Sequence, residues 1–218
     1  MRRRTPAVLA ALVLAAALAA CGGKDAGSAA ASSEPAPAAE SSATAEPATA
    51  AAVPSEDPVA AEDNPPGDIP DDLAFVRYRN SAGHYSITHP EGWAETEKGS
   101  TVTFTDKLNS VHVEVGDRTS PATAAGARKS DVPALRAAQP AFELRDVTTF
   151  SAHGASGVKI VYRRNSAPDP LTDRQYRDEV ERYCLVLDGR ELVVELSGPV
   201  GADNVDAYRT MIADLTFS

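Results

Sequence analysis

Four histidines, all between residues 84 and 153, are the first side chains to test for metal chemistry. His84 and His89 fall within one strand-like run, where an odd spacing sends side chains to opposite faces. His112 and Glu114 share a face, but two ligands leave a zinc-type site incomplete. His153 falls in the turn Ala152-His153-Gly154. The spacing therefore predicts no metal site, and the four read as scattered surface imidazoles. Acyl transfer would need a nucleophile on a strained turn. Gly154-Ala155-Ser156-Gly157 is the nearest string, and it lacks the G-x-S-x-G spacing. Ser197-Gly198-Pro199-Val200-Gly201 could offer backbone N–H groups to an anion. Without a following Gly-Lys-Ser/Thr it reads as a plain connection between a strand and a helix. Acidic residues are abundant, but none are spaced as a pair for proton transfer. No enzyme and no cofactor are expected.

The two cysteines call for different chemistry. Cys21 ends the stretch MRRRTPAVLAALVLAAALAAC, in which Arg2, Arg3 and Arg4 precede an apolar run from Ala7 to Ala20. That run is shorter than the ~20 residues a membrane-spanning helix needs, and it closes on small residues as a secretory signal does. Leu18-Ala19-Ala20-Cys21 resembles the bacterial lipobox. The resemblance implies cleavage between Ala20 and Cys21 and a diacylglyceryl group on the Cys21 thiol. The arginines lack the apolar continuation of a twin-arginine signal, so Sec export is favoured, with both routes open. Cys184 then has no intramolecular partner. In the apolar run Arg182-Tyr183-Cys184-Leu185 it reads as a small hydrophobe.

Residues 21–72 form a segment of their own. They are rich in Ala, Ser, Pro, Glu and Asp, and every aromatic residue of the chain lies at or beyond Phe75. Such a stretch cannot bury enough area to offset its ordering entropy. It is expected to be a disordered tether with a reach on the order of 40 Å. Residues 22–72 carry eleven acids against one lysine, whereas residues 73–218 carry twenty acids against seventeen bases. The chain's net charge of −10 thus belongs mostly to the tether. A near-neutral domain offers no basic surface for nucleic acid.

From Phe75 onward the pattern alternates as strands do. FVRYRN, HYSITHP, the run Thr101–Thr105, Val111-x-Val113-x-Val115, LRDVTTF, GVKIVYRR, VERYCLVLDG and ELVVELSG give seven or eight strands. Asp188-Gly189 marks a tight hairpin turn. Ser120 with Pro121 looks like a helix start. Pro133 is expected to split that segment, with Asp131 capping its second part. A terminal helix should follow Asp203, with Val205, Tyr208, Ile212 and Leu215 along one apolar stripe. The expected fold is α+β: a mainly antiparallel β-sheet packed with helices, residues 73–218 forming one domain.

GHYSITHPEGW, a strand ending in His-Pro-x-Gly-Trp, resembles the opening of PsbP-like domains, including the LpqN-type lipoproteins of actinobacteria. The order of elements matches as well, down to a final helix ending near Leu215 and Phe217. The resemblance implies an α/β/α sandwich and a non-catalytic protein-binding role in the cell envelope. An alanine-rich signal and tether suit a high-GC, actinobacterial source. The expected partners are the membrane, through lipid on Cys21, and another envelope protein. Trp93, Tyr176 and Arg177 are candidate partner contacts: Trp93 is the sole tryptophan, and the other two lie in the long stretch 165–181, of the kind that often binds. For Trp93 a core anchor is the competing reading. The alternative function is a carrier or receptor for a small or lipidic ligand at the membrane surface. A deep apolar cavity would favour the carrier, and a filled core with an exposed apolar patch would favour the binder.

Overall fold

The structure is a computed structural model that describes residues 56–63 and 65–217. The expected signal, Ala20, Cys21 and most of the expected tether lie outside the described residues. Seven strands form one antiparallel sheet in the order β3-β4-β5-β9-β8-β7-β6. They are β3 (Ala94–Lys98), β4 (Thr101–Asp106), β5 (Asn109–Gly116), β6 (Glu143–Ala152), β7 (Ala155–Asn165), β8 (Arg177–Leu187) and β9 (Arg190–Pro199). A second, three-stranded sheet runs β1-β2-β10, from β1 (Phe75–Asn80), β2 (Tyr85–Pro90) and β10 (Thr216–Phe217). The helices are α1 (Ala124–Lys129), α2 (Asp131–Ala138) and α3 (Val205–Ala213). The α+β class is as expected.

Two-residue turns close the long hairpins because His153-Gly154 and Asp188-Gly189 both hold positive φ at each position. That is the mirror-image turn whose twist matches paired strands. Side-chain alternation then sorts the large sheet into two faces. One face carries Val147, Val158, Ile160, Tyr162, Val180, Cys184 and Val193, and α1 and α2 cover it with Ala127, Val132 and Leu135. The other carries Val102, Phe104, Val111, Val113, Tyr183, Leu185, Leu192, Val194 and Leu196. Met211, Ile212 and Leu215 from α3 and its end cover it, together with Tyr85 and Ile87 of β2. Gly157 is where two strands come too close for a side chain: a Cβ there would stand 1.9 Å from the Cys184 carbonyl oxygen.

The two covers are staggered. The helix pair shields the β6–β8 half of its face, while α3 and the small sheet shield the β4–β5–β9 part of theirs. Two half-faces have no cover among the described residues. On the α1–α2 face, the threonines of β4, His112, Glu114 and Glu195 are partly exposed; on the α3 face, Thr148, Phe150, Lys159, Val161, Arg163, Glu179 and Glu181 are.

Several boundaries differ from expectation. β3, AETEK, is exposed along its length, so it has no alternating apolar signal. β10 is two residues that pair with Tyr85 and Ser86 of β2, too short for any pattern. The first helix is capped by Thr123, whose Oγ1 accepts from the Gly126 N–H at 3.0 Å, not by Ser120. Arg118 bridges Asp131 at the start of α2 at 2.5 Å and Glu191 of β9 at 3.2 Å, which ties the segment before α1 to both elements. The split comes at Ser130, and Pro133 sits in the first turn of α2, where its missing N–H is not needed. α3 follows Asn204, not Asp203, and Val205 leaves the stripe to stand 62% exposed.

Residues 56–63 and 65–72 depart furthest from the expected tether. They run as a strap along the sheet end, with Pro65, Gly67 and Ile69 buried in alternation. The Asn109 amide donates to the Gly67 carbonyl at 2.7 Å, and the Ile69 N–H donates to Asn204 Oδ1 at 2.8 Å. Asn204 Nδ2 in turn donates to Asn109 Oδ1 at 2.9 Å. Further along, Asn165 accepts from the Val59 N–H at 3.0 Å and donates to the Asp57 carbonyl at 2.9 Å. Backbone groups paired to buried amides order a polar stretch that composition alone assigns to solvent.

Candidate functional site: an open groove beside the last helix

The open half of the α3 face ends in a groove of about 330 Å³ between the β6–β7 turn and α3. Phe150 and Tyr183 form its floor, their rings edge to face with centroids 4.9 Å apart. Ile212, Tyr208 and the exposed Val205 form the helix wall. Register explains why these meet. Phe150 pairs with Gly157, which offers no side chain to cover it, and Lys159 stands directly opposite Tyr183.

Three ionisable groups of the groove floor engage one another. Lys159 Nζ lies 2.5 Å from Glu181 Oε1, and the Tyr183 hydroxyl donates to Glu181 Oε2 at 2.6 Å. Lys159 also sits 5.4 Å from the centre of the Tyr183 ring, within cation–π range. Burial, then the Glu181 carboxylate, push the Tyr183 phenol up. On the helix side Arg209 pairs with Asp206. A smaller recess of about 80 Å³ continues the groove past Glu179 and Gly198. There the Tyr208 hydroxyl is buried beside Asn204, and burial raises its pKa. The Tyr183 phenol, the Glu181 carboxylate and the Lys159 ammonium are thus engaged with one another across the groove floor.

The opposite open half-face is a polar ladder. Arg182 pairs with Glu195 at 2.6 Å and Glu114 at 3.6 Å, and the Tyr162 hydroxyl donates to Glu195 at 3.1 Å. Burial would raise Glu195, but the Arg182 guanidinium outweighs it and holds the carboxyl below its ordinary value. Thr103 Oγ1 lies 2.8 Å from His112 Nδ1.

The sequence-derived candidates fall elsewhere. Trp93 is 8% exposed within the larger core cluster, so it is a core anchor and not a surface contact. Arg177 is 5% exposed; it donates to the Ala141 carbonyl at 2.8 Å and pairs with Glu143 at 3.1 Å. Tyr176 is half-buried under the Arg174 guanidinium, 5.1 Å above its ring. The long stretch shrinks to a loop of residues 166–176, where Asp169 accepts from the N–H groups of Leu171 and Thr172. Those bonds hold its carboxyl below the usual range.

The histidines divide as well. His89 is buried, not a surface imidazole. It stacks on Phe104 with centroids 3.8 Å apart, and burial lowers its pKa. Its Nδ1–H donates to the Pro90 carbonyl at 2.9 Å. His84 leaves the strand at φ 55°. Among the described residues no three His, Cys, Asp or Glu side chains group as metal ligands. The groove itself escaped sequence reading because Phe150, Lys159, Tyr183 and Val205 come from four elements. The Gly157–Phe150 pairing was the available clue, and it required the hairpin register.

No protein-family model matches the chain, and no curated protein matches it. Among solved structures, it is similar to cyanobacterial PsbP (CyanoP) from Synechocystis, at 15% identity over 70% of this chain and 99% of that one, with a TM-score of 0.49. The yeast Ran-binding protein Mog1p of Saccharomyces cerevisiae aligns at 8% identity over 67% and 96%, TM-score 0.45. A protein from Pseudomonas aeruginosa, described as a possible regulator of unknown function, aligns at 12% over 66% and 97%, TM-score 0.44.

Proposed function

We propose that the domain is a non-catalytic docking module for another protein. The carrying observation is the uncovered half of the α3 face, where Phe150 and a 62%-exposed Val205 border a groove of about 330 Å³. Its charges are already neutralised in pairs, so a partner gains by covering apolar surface and loses little by desolvating free charge. The groove lies open to solvent over packed aromatic rings, which suits a macromolecule better than an engulfed small ligand. In this reading Cys21, lipidated after cleavage behind Ala20, holds the module on the extracytoplasmic face of a bacterial cell membrane, where the partner is an envelope protein. Stable anchoring of this kind takes at least two acyl chains.

The test is site-specific photocrosslinking in intact cells, with the reactive group at position 205 and, as control, at position 96 on β3. A discrete adduct from position 205, lost when Phe150→Glu is added, is the expected result. Equal labelling from both positions, or lipid alone in the adduct, would remove the docking reading.

A further inference from the structure

The large sheet has two edges, and they are protected unequally. β3 is five residues long and carries Glu95, Glu97 and Lys98, the charged and short form that discourages pairing. β6 is ten residues long and borders the groove. Its register fixes which backbone groups point outward. The two-residue turn at His153-Gly154 makes Ala152 and Ala155 a hydrogen-bonded pair. Alternation then turns the N–H and C=O groups of Ala152, Phe150 and Thr148 toward β7, and those of Ser151, Thr149 and Val147 away from the sheet.

Val147 confirms this reading independently, because side chains cap both of its outward groups. Its N–H donates to Asp146 Oδ1 at 2.8 Å, and its carbonyl accepts from Arg128 Nη1 at 2.9 Å. A register irregularity between Leu144 and Asp146 breaks the pairing just before it. The N-terminal half of β6 is thus closed to a further strand. Among the described residues no strand lies beyond Thr149 and Ser151, which carry no charge and have exposed side chains.

We infer that Thr149–Ser151 of β6 accepts an extended segment of another protein as an added strand. This inference rests on the docking-module reading and names how the partner is held. Four outward backbone groups supply the hydrogen bonds. Alternate residues of the added strand fall beside Thr148, Phe150 and Ala152, on the face that opens into the groove, so every second partner residue should be apolar. A second copy of this chain fits less well. Antiparallel pairing of two β6 strands about Phe150 would bring each capped Val147, with its Arg128, into the pairing row opposite His153.

Random peptides selected against the full-length chain test this, the enriched peptide being made with its alternate amides N-methylated in two complementary sets. One set should weaken binding by about tenfold or more and the other should not, as only one row of amides faces β6. Thr149→Pro, which removes an outward N–H that β7 does not use, should weaken binding similarly, and bound peptide should slow amide exchange at Thr149 and Ser151. N-methylation supplies the answer without altering the protein, should the proline variant fold poorly. If both methylated sets bind as well as the parent while Val205→Glu abolishes binding, the strand inference falls and the docking module stands. Protection of the two amides that needs only high protein concentration would assign the edge to a second copy and overturn the inference. Failure to enrich any peptide would overturn inference and module together.

Discussion

Asp178 lies on β8, 5% exposed, with Arg164 Nε 3.9 Å from its carboxylate. Burial pushes its carboxyl up to about 6 even though Arg164 and Arg177 pull it down. The folded state therefore holds the proton more tightly than the unfolded chain, whose value is 3.8. A raised pKa of this kind gives stability that is complete below about pH 4 and lost as pH rises through about 6. Asp178→Asn should accordingly be more stable than wild type by about 1–3 kcal/mol at pH 7.5, with the gap closing below pH 4. Urea melts across that range check it; a gap independent of pH would exclude titration as its cause. Trp93 tests the core at the same scale. Its indole packs in the cluster that includes Ile69, Phe104 and Leu196, so Trp93→Ala should lower stability by about 3–5 kcal/mol. A variant that melts like wild type would contradict the buried placement.

The strap makes its own claim on stability. Asn204 occupies the cap position of α3 but spends its side chain on the Ile69 N–H and on Asn109. Asn204→Ala should thus strand two buried groups and cost about 1–3 kcal/mol by thermal melting. Removing residues 56–66 as well as 24–55 should lower the melting temperature relative to removing 24–55 alone, since Pro65 and the Val59–Asn165 bond go with the longer cut. Equal melting of the two deletions would show the strap to be idle. The same segment marks where sequence reading stopped. The alternating valines of β5 and the Asp188-Gly189 hairpin were legible because burial and turn chemistry act locally. Pro65, Gly67 and Ile69 alternate just as β5 does, yet they are set among Asp, Asn and Pro, and their partners lie more than forty residues away at Asn109 and Asn204. The groove was hidden for a related reason: Phe150 and Val205 are unremarkable until hairpin register and helix placement leave them without a cover.

For the whole molecule, the first expectation is about attachment. Cys21→Ser should remain unprocessed or leave the membrane fraction, since no acyl chain would then hold the protein. Normal processing and retention, seen by fractionation and intact mass, would discard lipid anchoring. The strap also has a mechanical consequence. A pull transmitted through Glu56 meets Asn165 first, then the Arg174–Glu62 pair, then the Asn109–Asn204 amides. These contacts are loaded one after another, as in peeling, so each yields at low force. Releasing residues 56–72 adds on the order of 50 Å of chain before tension reaches β1. The hydrogen-bonded sheet is loaded only after that slack is spent, so the strap is a reserve of length that shields the sheet from a pull on the segment before it.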